Sequence, residues 1–370
     1  MSAFRLAHAS AENWGRAAKS CVDQLGPADG ATLGFVYVTD RLSADLDGIL
    51  TVLREMTGVP HWIGTVGLGV VATGHEYFDE PAMAVMLCGL PSGSFRVFPT
   101  VAKKAGELRA ATADWKEAGQ ATFGVVHGDP RNPAAPELLA AVAKESGIFF
   151  VGGLSSSRGG LAQVADKLTD GGLSGVLFSG SVPVATGLTQ GCSPVGPVRR
   201  ITSCQENVLA QIDDGPALDA LMRDIGAATV EELARRAANI HVALPVSGSD
   251  TGDYLVRNLV GIDPDKGLVA IGERVAPGDR IIFCRRDKGA AREDLSRMLK
   301  TLKRRTGGVP KAGVYYTCVA RGPNLFGPGS VELAAIRDEL GNFPLVGFFC
   351  NGEISNDRLY GYTGVLALFL

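Results

Sequence analysis

Long apolar runs are missing from this chain. Nothing in its 370 residues approaches the ~20 consecutive apolar residues that a membrane span requires, and the terminal Val365–Leu370 segment reads as one short buried strand. Residues 1–10 carry Arg5 and His8 without a continuous apolar core, so no secretory leader is expected and the cytoplasm is the expected compartment. Charge of one sign is also lacking. The 36 basic and 39 acidic residues leave a formal net charge of −3, which gives no electrostatic footprint for nucleic acid or an anionic membrane. The dense basic stretch from Arg297 to Arg305 sits on a leucine-spaced segment and reads as the solvated face of a helix.

Cysteine and histidine are sparse and scattered. The seven cysteines (Cys21, Cys88, Cys192, Cys204, Cys284, Cys318 and Cys350) are odd in number and never form a CxxC pair, which excludes a disulfide framework or a zinc site. Cys192 lies in a Gly-Cys-Ser-Pro stretch that reads as a turn, making it the most plausible reactive thiol; Cys318 and Cys350 sit in apolar strands and are expected to be inert. The five histidines never reach metal-ligand spacing. No GxSxG elbow, GxxxxGK[ST] loop or HExxH pair is present. Gly67, Gly69 and Ala72 satisfy GxGxxA, but Thr73, Gly74 and His75 follow and do not open the helix that a dinucleotide site needs.

Glycine is abundant, at 48 residues, and its placement marks an internal repeat of strand, amphipathic helix, Gly-punctuated strand and further strand. The first copy runs through Leu33–Val38, a helix with Leu46, Ile49, Leu50 and Leu53 on one face, then strands at His61–Val71 and Ala82–Leu90. The second runs through Phe123–His127, a helix from Pro136 to Glu145, Ile148–Gly153 and Gly175–Ala185. Another closes the chain: Val314–Val319, a helix over Val331–Leu340, Pro344–Phe349 and Tyr362–Phe369. A partial copy is read at Arg280–Cys284 with the helix that carries Leu295, Met298, Leu299 and Leu302. Gly64 and Gly69 match the spacing of Gly347 and Gly352. The expected fold class is therefore α/β (α+β): repeated β-α-β-β units forming mixed, largely antiparallel sheets flanked by helices, with two sheets face to face. Turn signals at Gly191–Pro197 and Asp213–Pro216, then helices at Ala217–Ile225 and Val230–Ala237, divide the chain into an extension over 1–29 and two fused domains, 30–220 and 221–370.

The segment Gly341–Ile354 (GNFPLVGFFCNGEI), the following LYGYTGVLALF, and CVARGPNLFG at Cys318–Gly327 resemble FIST C-terminal domains. Residues 175–202 and the PHWIGTVGLGV stretch at 60–70 resemble FIST N-terminal domains. The resemblance implies an intracellular signal-transduction module that binds a small molecule such as an amino acid and acts through a signalling partner protein. No cofactor is predicted from the residues, with haem left as the alternative. Some bacterial relatives bind haem, which needs one axial histidine; His61, His127 and His241, beside strands, are the residues to test.

Strand ends carry the remaining candidates. Asp40, Asp129, Asp287 and Arg321 each follow an apolar strand and precede a helix; capping accounts for the aspartates, but a guanidinium only donates. The expected ligand pocket is lined by Arg286, Asp287, Cys318, Arg321, Asn351 and Glu353, with Arg321 and Glu353 meeting the two charges of a zwitterion. The function read from the sequence is a sensory small-ligand-binding protein that is not an enzyme. Its rivals are an enzyme using Cys192 or Cys318, and an interaction adaptor without a ligand.

Overall fold

The apolar periodicities become strands and helices close to the expected positions, but the sheets they build are four, three of them interlocked. The structure is a computed structural model that describes residues 4–246 and 253–370. Two compact units result, Met1–Thr189 with Leu295–Leu370, and Gln190–Asp294.

The first unit holds three copies of one pattern. Copy one is β1 (Phe4–Ser10), α1 (Trp14–Leu25), β2 (Leu33–Thr39), α2 (Leu46–Thr57), β3 (His61–Gly67), the hairpin β4 (Gly69–Ala72) and β5 (His75–Phe78), and β6 (Ala82–Cys88). Copy two is β7 (Phe95–Val101), α3 (Gly106–Ala111), β8 (Ala121–Gly128), α4 (Ala135–Ser146), β9 (Phe149–Leu154), the hairpin β10 (Gln163–Ala165) and β11 (Lys167–Thr169), and β12 (Leu173–Ser179). Copy three begins with β13 (Val184–Gln190) and is interrupted by the second unit.

That second unit contributes β14 (Cys192–Pro194), β15 (Arg199–Gln205), β16 (Val208–Ile212), β17 (Gly215–Pro216), α5 (Ala217–Ile225), α6 (Val230–Arg236), β18 (Ile240–Pro245), β19 (Tyr254–Asp263), β20 (Leu268–Ile271) and β21 (Arg280–Arg286). Copy three then resumes through α7 (Lys288–Thr306), β22 (Ala312–Cys318), the short α8 (Pro323–Phe326), α9 (Val331–Leu340), β23 (Leu345–Cys350), the hairpin β24 (Glu353–Ser355) and β25 (Arg358–Tyr360), and β26 (Thr363–Phe369).

Each copy centres on a parallel pair, β2/β3, β8/β9 and β22/β23, whose helical crossover is α2, α4 or α9. An antiparallel strand flanks it on one side: β6, β12 or β26. The other side is closed by a hairpin from a different copy. The β4–β5 hairpin of copy one pairs with β23, β10–β11 of copy two with β3, and β24–β25 of copy three with β9. The exchange is cyclic, so each copy completes a neighbour.

The three inner faces share one core, drawn from Phe35, Phe123, Val151, Val314, Phe348 and their neighbours. Three outer cores lie under α1 and α2, under α3 and α4, and under α7 and α9. Two sheets face to face were expected; three inward-facing sheets are found. The single strand expected over His61–Val71 is two strands in different sheets, and Gly175–Ala185 is likewise β12 and β13. The partial copy at Arg280–Cys284 is no copy: β21 pairs within the inserted unit, while Leu295, Met298, Leu299 and Leu302 of α7 pack in copy three.

The inserted unit is antiparallel throughout and closes on itself. Strands pair in the order β21, β15, β16, β20, β19, β18, and β18 returns to β21, giving a six-stranded barrel without a free edge in that ring. Ile201, Leu209, Val242, Val269, Ile281 and Phe283 belong to its apolar core with Leu218 and Leu221 of α5. The basic stretch from Arg297 to Arg305 lies on α7, where Arg297, Lys300, Lys303, Arg304 and Arg305 are exposed. No helix among the described residues is long and apolar enough to cross a membrane.

One glycine in each copy makes the parallel pair feasible. A Cβ at Gly64, Gly152 or Gly347 would lie 1.7, 1.8 or 1.7 Å from the carbonyl oxygen of Val36, Val126 or Tyr315 on the adjacent strand. The obstacle is backbone, which cannot swing aside as a side chain can. Gly347→Ala is therefore expected to prevent cooperative folding, read as loss of a sharp thermal transition by circular dichroism. A normal transition in that variant would contradict the close approach.

Candidate functional site

The most unusual chemistry lies where β22 ends. Alternation along Gly-Val-Tyr-Tyr-Thr-Cys puts Tyr315 in the outer core beneath α9 and Tyr316 in the shared inner core. After Cys318 the chain turns, with Arg321 N donating to Cys318 O, and brings the fully buried Arg321 against the first turn of α9. There Glu332, also fully buried, accepts from Arg321 Nε at 2.9 Å and Nη2 at 2.5 Å, from Tyr315 Oη at 2.5 Å and from Thr317 Oγ1 at 3.2 Å. Four donors on one carboxylate, beside a helix N-terminus, suit a buried negative charge. The guanidinium also lies 5.2 Å from the centre of the Phe326 ring.

Two more carboxyl groups adjoin this pair. Glu76 arrives on β5, the hairpin lent by copy one, its backbone N–H donating to Ser330 Oγ at 2.9 Å. Burial, then the charge of Glu332, push its carboxyl up to about 8. Glu353 opens β24, and its Oε2 accepts from Thr363 Oγ1 at 2.8 Å and Thr363 N at 3.1 Å. Burial pushes it up to about 8 as well, against the opposing pull of Thr363, Arg321 and the Cys318 thiol. At neutral pH both are protonated, each offering a donor and an acceptor. Arg321 keeps its charge because Glu332, Tyr315 and Glu353 outweigh the cost of burying it.

The cluster is not saturated. Arg321 Nη1, Glu353 Oε1 and both carboxyl oxygens of Glu76 are buried without a well-formed hydrogen bond, although the Leu333 N–H pulls on the Glu76 carboxyl and the Cys318 thiol on that of Glu353. Buried polar atoms are nearly always paired, so four such atoms in one neighbourhood are unusual.

Of the six residues expected to line a pocket, Cys318, Arg321 and Glu353 converge here. Asn351 is exposed, its backbone N–H donating to Leu154 O. Arg286 and Asp287 belong to the inserted unit: Arg286 stands opposite Cys192 in the β14/β21 pair, and Asp287 caps α7 through Ala290 N at 2.9 Å. Arg321 and Glu353 act on each other electrostatically, but the ion pair is Arg321–Glu332. Glu332, Glu76, Tyr315, Thr317 and Thr363 were not anticipated. Glu332 had a faint signal, a glutamate in the first turn of a helix just after an arginine-bearing strand end. Glu76 had none, because its hairpin comes from another copy.

The other aspartates anchor loops instead of capping helices. Asp40 pairs with Arg158 at 2.7 Å, and Asp129 with Arg131 at 2.6 Å and Gly171 N at 2.9 Å. His127 meets Tyr37 and Tyr316 in the inner core: Tyr37 Oη lies 3.1 Å from His127 Nε2 and 2.9 Å from Tyr316 Oη. The three occupy equivalent positions, each one residue beyond the carbonyl that faces Gly64, Gly152 or Gly347. Burial pushes His127 down to about 3. With Nε2 engaged and the ring packed against Tyr37, Tyr316 and Phe348, it does not fit an axial haem ligand. His61 is half-exposed against Asp166, and His241 is buried on β18 where burial pushes it down to about 4.

Cys192 is a correction. It lies in β14, not in a turn, and is 4% exposed. Cys318 and Cys350 are buried as expected, and burial pushes both thiols up. Of the seven cysteines, Cys204 alone is not buried.

Two outcomes follow. Glu76 and Glu353 hold protons to about pH 8 in the fold but ordinarily release them near 4.5. The folded state therefore binds more protons across that range, and stability falls as pH rises through it. His127 and His241 act oppositely, but below their ordinary value of 6.5. The melting temperature is expected to fall from pH 6.5 to 8 in the parent and to stay flat in a Glu76→Gln, Glu353→Gln double variant; a flat parent profile would refute the assignment. In native protein, a maleimide reagent is expected to label Cys204 before any other cysteine, as peptide mapping by mass spectrometry would show.

Comparison with known proteins gives the remaining context. The FIST N domain family model matches residues 32–215 and the FIST C domain model residues 217–356. The uncharacterized protein MT0656 of Mycobacterium tuberculosis (strain CDC 1551 / Oshkosh) is 32% identical over 325 residues, 83% of each chain. The uncharacterized protein Mb0898c of Mycobacterium bovis (strain ATCC BAA-935 / AF2122/97) is 29% identical over 361 residues, 93% of this chain and 91% of that one. Among solved structures, PurLQS from Thermotoga maritima aligns with a TM-score of 0.22 at 12% identity, over 99% of this chain and 71% of that one, too low to bear on the fold.

Proposed function

The chain belongs to the FIST family, whose domains are associated with sensory signal transduction, and from that premise we propose that it is a sensor that binds a small polar ligand without turning it over and signals through a partner protein. The ligand is an amino acid or a metabolite of similar size, and its polar groups complete the buried cluster at the ends of β22 and β23. The observation that carries this reading is the set of unfilled valences there: Arg321 Nη1, Glu353 Oε1 and the Glu76 carboxyl. An anionic group answers the free guanidinium nitrogen, and an ammonium or hydroxyl answers the two carboxyl groups. Since these atoms are closed off from solvent, entry requires a local opening of the fold, which gives ligand binding a conformational consequence for a partner to read.

Thermal shift with the twenty amino acids and small zwitterionic metabolites tests the reading. A ligand at 100 times its Kd adds about 2.7 kcal/mol to stability. Glu76→Gln and Glu353→Gln, which keep the shape, should each diminish that gain. Arg321→Ala should lower stability by about 3–5 kcal/mol with or without ligand, because it leaves Glu332 buried and unpaired. A ligand that stabilises the double glutamine variant as much as the parent would remove the cluster from the binding site.

A further inference from the structure

In two of the copies the first strand meets the outer strand of the hairpin that the same copy lends. In copy two this corner is closed by a hydrogen bond between hydroxyls, Thr100 of β7 and Thr169 of β11. In copy one it is closed by His8 of β1 against Tyr77 of β5, with 2.6 Å between His8 Nδ1 and Tyr77 Oη. Copy one then adds a second imidazole. His75 precedes Tyr77 by two residues and shares its face of β5, and its ring centre lies 5.8 Å from that of His8 and 4.3 Å from that of Tyr77. Two hydroxyls suffice to close the corner in copy two, so a pair of imidazoles is more than closure requires. Spacing in the sequence gives no sign of the pair, because the fold alone brings β1 and β5 together.

The surroundings hold His8 in place. Its backbone N–H donates to Gln24 Oε1 at 3.3 Å and its carbonyl accepts from Gln24 Nε2 at 2.9 Å, which ties β1 to α1. Tyr77 is 9% exposed and packs in the shared inner core, so the phenol that engages His8 Nδ1 is fixed as well. That bond leaves Nε2 as the nitrogen of His8 open to a ligand. A metal-bound histidine characteristically has its other ring nitrogen held by such a partner. His75 is exposed, so the pair opens to solvent on one side. Ser10, two residues beyond His8, donates from Oγ to Glu80 Oε2 at 3.0 Å and so keeps a carboxylate at the same corner. A metal at about 2.0 Å from one nitrogen of each ring stands about 3 Å from each ring centre, so two ligating rings have centres up to about 6 Å apart. The observed 5.8 Å falls within that reach. Among the described residues no three His, Cys, Asp or Glu side chains gather to hold a metal, so the ligand set here is two imidazoles completed by solvent.

We propose that His8 and His75 form a binding site for a divalent first-row transition-metal ion, copper(II) held most tightly, at the open corner between β1 and β5. Imidazole suits copper, nickel and zinc, and copper(II) stands at the top of the affinity order for such nitrogen ligands. Magnesium and calcium prefer oxygen ligands and do not compete for two imidazoles. Tyr77 is a positioning residue that orients His8. The site does not depend on the proposed ligand of the buried cluster. A cation held there fastens β1 to the strand whose opposite face carries Glu76.

Copper(II) titration of the full chain, free of any affinity tag and stripped with a chelator, is the test, followed by electron paramagnetic resonance. One equivalent should bind saturably and show hyperfine coupling to two imidazole nitrogens. His75→Gln, a change at an exposed position, should keep the parent melting temperature, weaken copper at least tenfold and leave one nitrogen coupled; His8→Gln should weaken it likewise. Tyr77→Phe should keep both nitrogens but weaken copper about tenfold or more, the usual cost of losing the partner that orients a ligating histidine. His61→Gln and Cys204→Ser should bind like the parent. A thousandfold excess of magnesium should displace no copper. The proposal is overturned if copper does not saturate at one equivalent, if the parent signal shows fewer than two nitrogens, or if His75→Gln binds as tightly as the parent. Displacement by magnesium, or loss of binding in His61→Gln or Cys204→Ser, would also overturn it by moving the ion to a carboxylate or to another side chain.

Discussion

Three sheet faces bury one another in the first unit, and none of the three sheets is complete without a strand pair borrowed from another copy. Strands β3, β9 and β23 would otherwise present bare edges, each with a row of unpaired N–H and C=O groups. The cyclic exchange of hairpins satisfies those groups and couples the copies, so that no copy buries its own faces alone. Gly64, Gly152 and Gly347 belong to the same constraint, because the parallel strands approach too closely for any Cβ there. The residues just beyond the facing carbonyls, Tyr37, His127 and Tyr316, are thereby brought together at the centre.

The exchange also creates the charged cluster. Glu76 reaches Arg321 and Glu332 because β4–β5 of copy one closes the sheet of copy three. Glu353 arrives at the edge of β9 because β24–β25 closes the sheet of copy two. A buried ion pair with two protonated acids therefore stands where hairpins of two copies cross, and opening it would disturb more than one sheet. The barrel inserted between β13 and α7 has its own closed hydrogen-bonding ring.

The elements were largely legible. Leu46, Ile49, Leu50 and Leu53 predicted α2, and the helix over Val331–Leu340 has the expected bounds. The matched glycine pairs, Gly64 with Gly69 and Gly347 with Gly352, correctly tied copies one and three, since Gly69 and Gly352 each lead into the lent hairpin. Less legible was the break within His61–Val71, where a Gly-punctuated strand-like run hides a change of sheet at Leu68. Arg321 and Glu353 act on each other electrostatically, but the partner of Arg321 is Glu332, and a glutamate in a first helical turn is more commonly an exposed dipole partner.

Local spacing determined by itself what each segment would become and which side chains would be apolar on one face, because those properties depend on periods of two and 3.6 residues. It determined the family as well, through glycine and aromatic positions carried along nearly the whole chain. The tertiary structure decided which edge each hairpin would join, that a barrel would interrupt the third copy, and that Arg321 would meet Glu332 and Glu76. The reason is physical: a strand edge offers the same N–H and C=O groups whatever its sequence, so backbone pairing carries no address. The choice among edges falls to the shape and burial of the whole core, which no short stretch of sequence contains.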